Sequence, residues 1–181
     1  IDENIIDGYT VRRYRPRIEG SFACIERWIR QADGEIHWRT LSSDNVLAIF
    51  GKDDNSRIAD PFNTGRIFSP LRTANRYIKH IYYGNRVPLL DNAGHRPINL
   101  LQQDLQNAGW MFEVVFDYGE HDLTDPKPGD NGTWFCRNDP FSSCRQGFDV
   151  RSYRLCQRVL MYHHFPAEAG IGQNCLVCSI D

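Results

Sequence analysis

The sequence predicts an all-β fold: antiparallel meanders that form part of a large curved sheet or shell, with at most one short helix. Three observations predict it. Apolar and polar residues alternate with period two in several short runs. Gly, Pro, Asn and Asp separate these runs, as they do in hairpins. The densest aromatic, β-branched and arginine stretch, Asp139 to Phe165, reads as an extended strand rather than a helix.

The elements follow in chain order. Ile1 to Gly8 is polar and reads as a frayed lead-in. Tyr9 to Arg17 reads as a strand ending near Pro16. Ser21 to Arg30 alternates Phe22, Cys24, Glu26 and Trp28 against Ala23, Ile25, Arg27 and Ile29. Gln31 to Gly34 is a turn in which Gly34 supplies positive φ. Glu35 to Leu41 returns as the partner strand, with Ile36, Trp38 and Thr40 on one face. Val46 to Phe50 is a third strand, and Lys52 to Gly65 a polar loop. Arg76 to Tyr83 is a strand closed by Gly84-Asn85. Pro88 to Gln106 is a linker with one helix, on which Ile98, Leu101 and Leu105 share a face and which Gly109 terminates.

Trp110 to Tyr118 is the cleanest strand. Its Trp110, Phe112, Val114 and Phe116 face is expected to form core, with Glu113 and Asp117 on the other side beside arginines. Gly119 to Thr133 is a loop, and Trp134 to Arg137 a short strand. From Phe148 to Phe165 the pattern reads as one long strand, bulged near Ser152, with Tyr153, Leu155, Gln157, Val159, Met161, His163 and Phe165 toward the core. Such a strand spans roughly 60 Å, too long for a small sandwich. The tail after Pro166 is small and polar, and Asp181 falls within what reads as a strand.

The chain has 181 residues, enough for one domain with a core. Net charge is −2, which argues against a nucleic-acid partner. No apolar run approaches the ~20 residues of a membrane helix. The first residue is Ile1 rather than Met, which reads as an internal fragment. Of the 21 basic residues only Lys52, Lys79 and Lys127 are lysines; arginine suits planar, multi-donor pairing.

Several motifs invite a chemical reading. Cys175-x-x-Cys178 has metal or redox spacing, but no second close pair completes a zinc site and no βαβ pattern surrounds it. Asp53-Asp54-Asn55 resembles the start of a calcium loop without its remaining ligands. His163 and His164 are adjacent on a strand, so they point to opposite faces and do not share one metal. Glu120-His121-Asp122 gathers acid and imidazole in a loop, but no activated nucleophile accompanies it. A turn held by side-chain hydrogen bonds is the plainer reading. No glycine-rich phosphate loop or His-Glu-x-x-His is present.

The order and content of several stretches closely resemble the SpvB family, the Salmonella plasmid virulence protein B family. They include Tyr9-Thr-Val-Arg-Arg-Tyr-Arg-Pro-Arg17, Gly20-Ser-Phe-Ala-Cys-Ile-Glu-Arg-Trp28, Ser56-Arg-Ile-Ala-Asp-Pro61, Ala74-Asn-Arg-Tyr-Ile-Lys79, Phe112-Glu-Val-Val-Phe-Asp-Tyr-Gly-Glu-His-Asp122 and Asp139 to Phe165. The family includes the amino-terminal region of the B components of insecticidal Tc toxin complexes. Relatives carry a further strand pair and linker between Ser69 and Ala74, where this chain has only Pro70-Leu-Arg-Thr73. The resemblance therefore implies a single SpvB-like domain fragment over 1–181, lacking the family's earlier strands and the segment after Ser69. Some members also carry an ADP-ribosyltransferase domain, recognised by a Ser-Thr-Ser strand and a Glu-x-Glu loop. This chain has neither motif.

Three readings stand at this point. The leading one is a non-enzymatic structural module of a Tc-type B component or a related secreted virulence protein, made in the bacterial cytoplasm and exported. By resemblance its partners are the remainder of the B component, an Rhs-type C component with toxic cargo, and a pore-forming A component. The second is an independent carbohydrate- or protein-binding β domain, and the third a hydrolase using Glu120, His121 and Asp122. The leading reading expects no enzyme activity, no catalytic or metal residues, no cofactor and no membrane span.

Overall fold

Nine antiparallel strands lie side by side in a single sheet of order β1-β2-β3-β4-β5-β6-β7-β10-β11. They are β1 (Glu3–Ile6), β2 (Tyr9–Tyr14), β3 (Cys24–Arg30), β4 (Ile36–Leu41), β5 (Leu47–Phe50), β6 (Ile78–Asn85), β7 (Trp110–Asp117), β10 (Arg158–Phe165) and β11 (Gly172–Ile180). A separate two-stranded ribbon pairs β8 (Phe141–Ser143) with β9 (Val150–Ser152), and the one helix among the described residues, α1, covers Gln102–Asn107. The structure is a computed structural model that describes residues 2–18, 20, 22–52, 56, 76–97, 100–132, 137–144 and 150–181. Among the described residues no helix is long and apolar enough to cross a membrane.

The all-β expectation with one short helix matches this architecture. Hairpin chemistry accounts for the sequential order. Gly34 takes φ +75° between β3 and β4, and Gly109 takes φ +60° where α1 gives way to β7. α1 begins where the Leu101 N–H donates to the Asp104 carboxylate at 2.9 Å. At its other end the Trp110 indole N–H donates to the Leu105 carbonyl at 2.8 Å, so β7 starts anchored to the helix.

The register sorts the side chains into two faces. Arg13, Glu26, Arg39, Ile49, His80, Val115 and Leu160 form one row across β2 to β10, since each is the direct partner of the next. This face is the covered one. Residues 86–97 and 100–109 fold over it, so that Leu89, Leu100, Leu105 and Ala108 pack on Leu41, Leu47 and Ile49. Val115, Leu160 and Tyr162 form a second cluster, and Ile6, Val11 and Trp28 a third. Full burial of each such side chain contributes about 1.5–3 kcal/mol.

Several expectations are corrected here. Residues 2–8 are not frayed: β1 pairs with β2 through the Asp7-Gly8 turn. The long strand expected from Phe148 to Phe165 is broken: β9 belongs to the small ribbon, residues 153–157 are irregular, and β10 begins at Arg158. Leu155, expected in the core, is exposed. Two faces are also inverted. In β7 Glu113, Val115 and Asp117 are buried while Phe112, Val114 and Phe116 are half-buried. In β10 Leu160, Tyr162 and His164 are buried while Val159, Met161, His163 and Phe165 are not. The aromatic side is cohesive all the same: Phe112 stacks on Tyr83 at 4.9 Å and meets His163 and Phe165 edge-on. The expected Trp134–Arg137 strand, Asp53 to Asn55, Ile98 and the Ser69–Ala74 junction lie wholly or largely outside the described residues.

The inverted faces give a direct test. Leu160, fully buried, should lose about 2–5 kcal/mol on Leu160→Ala. Phe112→Ala should lose less, because its ring is only half-buried. Urea unfolding of both variants checks this order, and a larger loss at Phe112 would return the core to the aromatic face.

Candidate functional site

The densest chemistry lies at the end of β7, where the chain turns back over the covered face. Gly119 takes φ +106°, a conformation open to glycine, and sends residues 117–121 into a tight loop. Gly132 then packs directly on the loop: its N–H donates to the Glu120 carbonyl at 2.8 Å, and a Cβ there would lie 2.6 Å from that oxygen.

This loop buries two acids and an imidazole against a lysine from β6. Lys79 is 2% exposed, Asp117 1%, Glu120 3% and His121 4%. The Lys79 ammonium has three donors and three acceptors: the Phe116 carbonyl at 3.1 Å, His121 Nε2 at 2.9 Å, and the Glu120 carboxylate. His121 Nδ1 donates to the Lys127 carbonyl at 2.8 Å, which leaves Nε2 to accept from Lys79. The other Glu120 oxygen accepts the Tyr118 N–H at 2.8 Å. Burial and the Lys79 charge hold the His121 imidazole below its ordinary range, so the ring is neutral.

Asp117 ties the same loop to β10. It accepts the Gly119 N–H at 2.7 Å and two Arg158 nitrogens at 2.8 and 2.7 Å. Burial pushes this carboxyl up, but the Gly119 and Arg158 donors outweigh it and hold it low. Arg158 continues to the Asp122 carbonyl at 2.9 Å.

A third buried acid, Glu113, stands on the same face of β7, four residues before Asp117. Glu113 receives His80 Nδ1 at 2.8 Å and His164 Nε2 at 3.0 Å, one from each flanking strand. Burial pushes Glu113 up, yet the His164 and His80 hydrogen bonds prevail and hold it at about 2. Farther along the face, Arg39 lies 3.6 Å over the Trp28 ring and donates to Gln102 of α1 at 2.5 Å.

Asp117, Glu120 and His121 present ligand-capable atoms within 4.8 Å of one another, the spacing of a metal site. Two of those three groups already accept from Lys79, so the ammonium stands where a cation would bind. No buried side-chain nitrogen or oxygen of Lys79, Asp117, Glu120 or His121 lacks a hydrogen-bond partner. The arrangement is a clamp that holds β6, β7 and β10 to one loop.

The sequence-predicted residues distribute as follows. Glu120 and His121 enter the clamp, whereas the Asp122 carboxylate is exposed and accepts from Thr124 and Asp125 in its own turn. His163 and His164 point to opposite faces, as expected, and only His164 meets Glu113. Cys175 and Cys178 are free thiols on β11. Sequence reasoning missed Lys79, Arg158 and His80. The one available signal was Lys79 itself, a lysine inside a strand of an arginine-rich chain.

Among the described residues, the fold and the clamp first define a class: a nine-stranded antiparallel β module whose middle strands are joined by buried ion pairs. The comparisons then fix the family. The model of Salmonella virulence plasmid 65kDa B protein matches residues 1–72 and 69–165. The chain belongs to the SpvB family. It is similar to the mono(ADP-ribosyl)transferase SpvB of Salmonella typhimurium and of Salmonella choleraesuis, each 31% identical over 206 residues, 93% of this chain and 34% of the relative. The chain thus spans about a third of the length of those curated relatives. The solved N-terminal domain of effector protein SpvB from Salmonella typhimurium strain LT2 is 30% identical at TM-score 0.46, covering 94% of this chain and 63% of that one. The TcdB2-TccC3-Cdc42 complex is 29% identical at TM-score 0.46, covering 93% of this chain and 10% of that one.

One expectation is overturned by these findings. The chain was expected to have no enzyme activity, but its curated relatives are named as mono(ADP-ribosyl)transferases. The sequence reading looked for a complete constellation within 181 residues, which correspond to 34% of those relatives.

The clamp carries a pH signature. Glu113 is depressed in the fold, so its contribution is present above the unfolded carboxylate range and is lost as pH falls toward about 2. A fall from 4.5 to about 2 corresponds to roughly 3 kcal/mol. His121 is also depressed, so acid draws protons to the unfolded chain and stability declines as pH drops below the free imidazole range. Thermal unfolding from pH 8 to pH 3 should show Tm falling throughout, with His121→Gln flattening the upper part of the decline and Glu113→Gln the lower part. Unchanged slopes in both variants would remove these groups from the acid response.

Proposed function

We propose that this chain is a structural module of a Tc-type toxin B component or a related secreted virulence protein. On this reading it contributes sheet to the β shell that encloses and delivers a toxic effector. Its partners are the remainder of the B component, an Rhs-type C component with its cargo, and a pore-forming A component. The protein is made in the bacterial cytoplasm and acts after export.

The observation that carries the reading is the open sheet. Among the described residues β1 and β11 each pair on one side only. β11 is nine residues long and leaves Leu176, Val177 and Ile180 exposed. A long edge strand with apolar side chains is a template for a further strand, and isolated domains usually blunt such edges. A wall that continues into neighbouring sheet has no such need. Family membership supplies the virulence context. We also infer that residues 1–181 act as one SpvB-like domain shortened after Ser69, a reading supported by the family model matching in two blocks that meet at 69–72.

The test is a comparison of amide hydrogen exchange over Gly172–Ile180 in the isolated chain and in the full-length protein bound to its Rhs-type partner. Fast exchange in the first and strong protection in the second is expected, together with protease resistance of the enclosed effector. Equally fast exchange in both settings would refute the wall.

A further inference from the structure

A β-bulge gives the Cys175-x-x-Cys178 motif a geometry that its spacing alone does not suggest. On a regular strand, residues three apart point to opposite faces. Here the register shifts by one between Met161 and Tyr162: Met161 pairs with Cys178, Tyr162 with Leu176, and His163 with Cys175. Val177 is the extra residue. Met161 and His163 share a face, so Cys175 and Cys178 share it too. The burial pattern agrees, with both thiols half-buried and Leu176, Val177 and Ser179 exposed.

His163 of β10 lies on that face as the direct cross-strand partner of Cys175. Its ring meets Phe112 and Phe165 edge-on, and among the described residues neither ring nitrogen has a hydrogen-bond partner. Both thiols are free, and the only contact of the Cys175 sulfur with a carbonyl is a long one of 3.9 Å to Leu176. Two soft sulfur donors and one imidazole thus share one face of the β10–β11 pair; their ligand atoms do not all lie within 4.8 Å of one another, so the side chains must rotate to meet on one ion.

We propose that Cys175, Cys178 and His163 form a binding site for a thiophilic metal ion, zinc in the first instance, in a Cys2His set with an open fourth position. Thiolate and imidazole are the ligand types such ions select. Binding releases the two thiol protons to solvent, forms two metal–sulfur bonds, and takes the lone pair of one His163 nitrogen; no electron transfer is involved. Side-chain rotation at the edge strand brings the sulfurs onto the metal. The site lies on a sheet face rather than on the hydrogen-bonding edge, so it stays available when another strand joins β11. It is also remote in character from the Lys79 clamp, whose donors and acceptors are already paired.

The reduced full chain is titrated with zinc against a chromophoric chelator, and with cadmium while the cysteinate-to-metal charge-transfer absorption is followed. One equivalent is expected. Cys175→Ser, Cys178→Ser and His163→Gln should each weaken binding by at least about tenfold. Cys24→Ser, on a distant strand, should leave it unchanged. The two serine changes sit on an edge strand, and far-ultraviolet circular dichroism confirms that the sheet persists. Affinity and absorption that survive in the Cys175→Ser/Cys178→Ser double variant would overturn the proposal, as would a wild-type chain that binds no more tightly than that variant.

Discussion

A charge buried on the covered face of the sheet dictates much of this structure. Lys79 is an ammonium in a space without solvent, and such a group persists only where its donors are met and its charge is balanced. Three acceptors converge on it: a backbone carbonyl of β7, a carboxylate and a neutral imidazole from the loop that follows. The loop in turn needs Gly119 to turn and Gly132 to close, because no side chain fits at the second position. The clamp therefore sets local backbone geometry as well as strand pairing.

The same constraint extends across neighbouring strands. Asp117 draws Arg158 from β10, and Glu113 draws His80 from β6 and His164 from β10. A slip of one residue in any of these pairings would turn the charged groups to the opposite face and leave their partners buried alone. The apolar clusters could tolerate a slip more readily than these ion pairs. The middle of the sheet is thus fixed in register while its outer strands remain unpaired on one side, an arrangement suited to a segment of a larger wall.

The strands were legible because alternation is local. Trp110–Asp117, Ile36–Leu41 and Leu47–Phe50 appear within a residue or two of where their patterns place them. The faces were not legible, for a physical reason. Hydrophobicity alone assigns Phe112, Val114 and Phe116 to the interior, but Glu113 and Asp117 are buried by partners 33 to 51 residues away in sequence. No period within β7 reveals those partners. The broken strand before β10 failed similarly: alternation continues through residues 153–157, while the backbone there leaves the sheet. Of the candidate site, the Glu120-His121 pair was visible as a cluster, but its meaning came from Lys79, which only the β6–β7 pairing brings near.

The central claim is that buried ionic pairing holds the sheet's covered face together. A double-mutant cycle on Lys79→Met and Glu120→Gln tests it most directly, read by denaturant unfolding. Each single change is expected to cost about 3–5 kcal/mol, since each strands the other group. The double variant should recover part of that loss, with a coupling of at least about 2 kcal/mol. Single losses that simply add, with coupling within about 0.5 kcal/mol, would contradict the account.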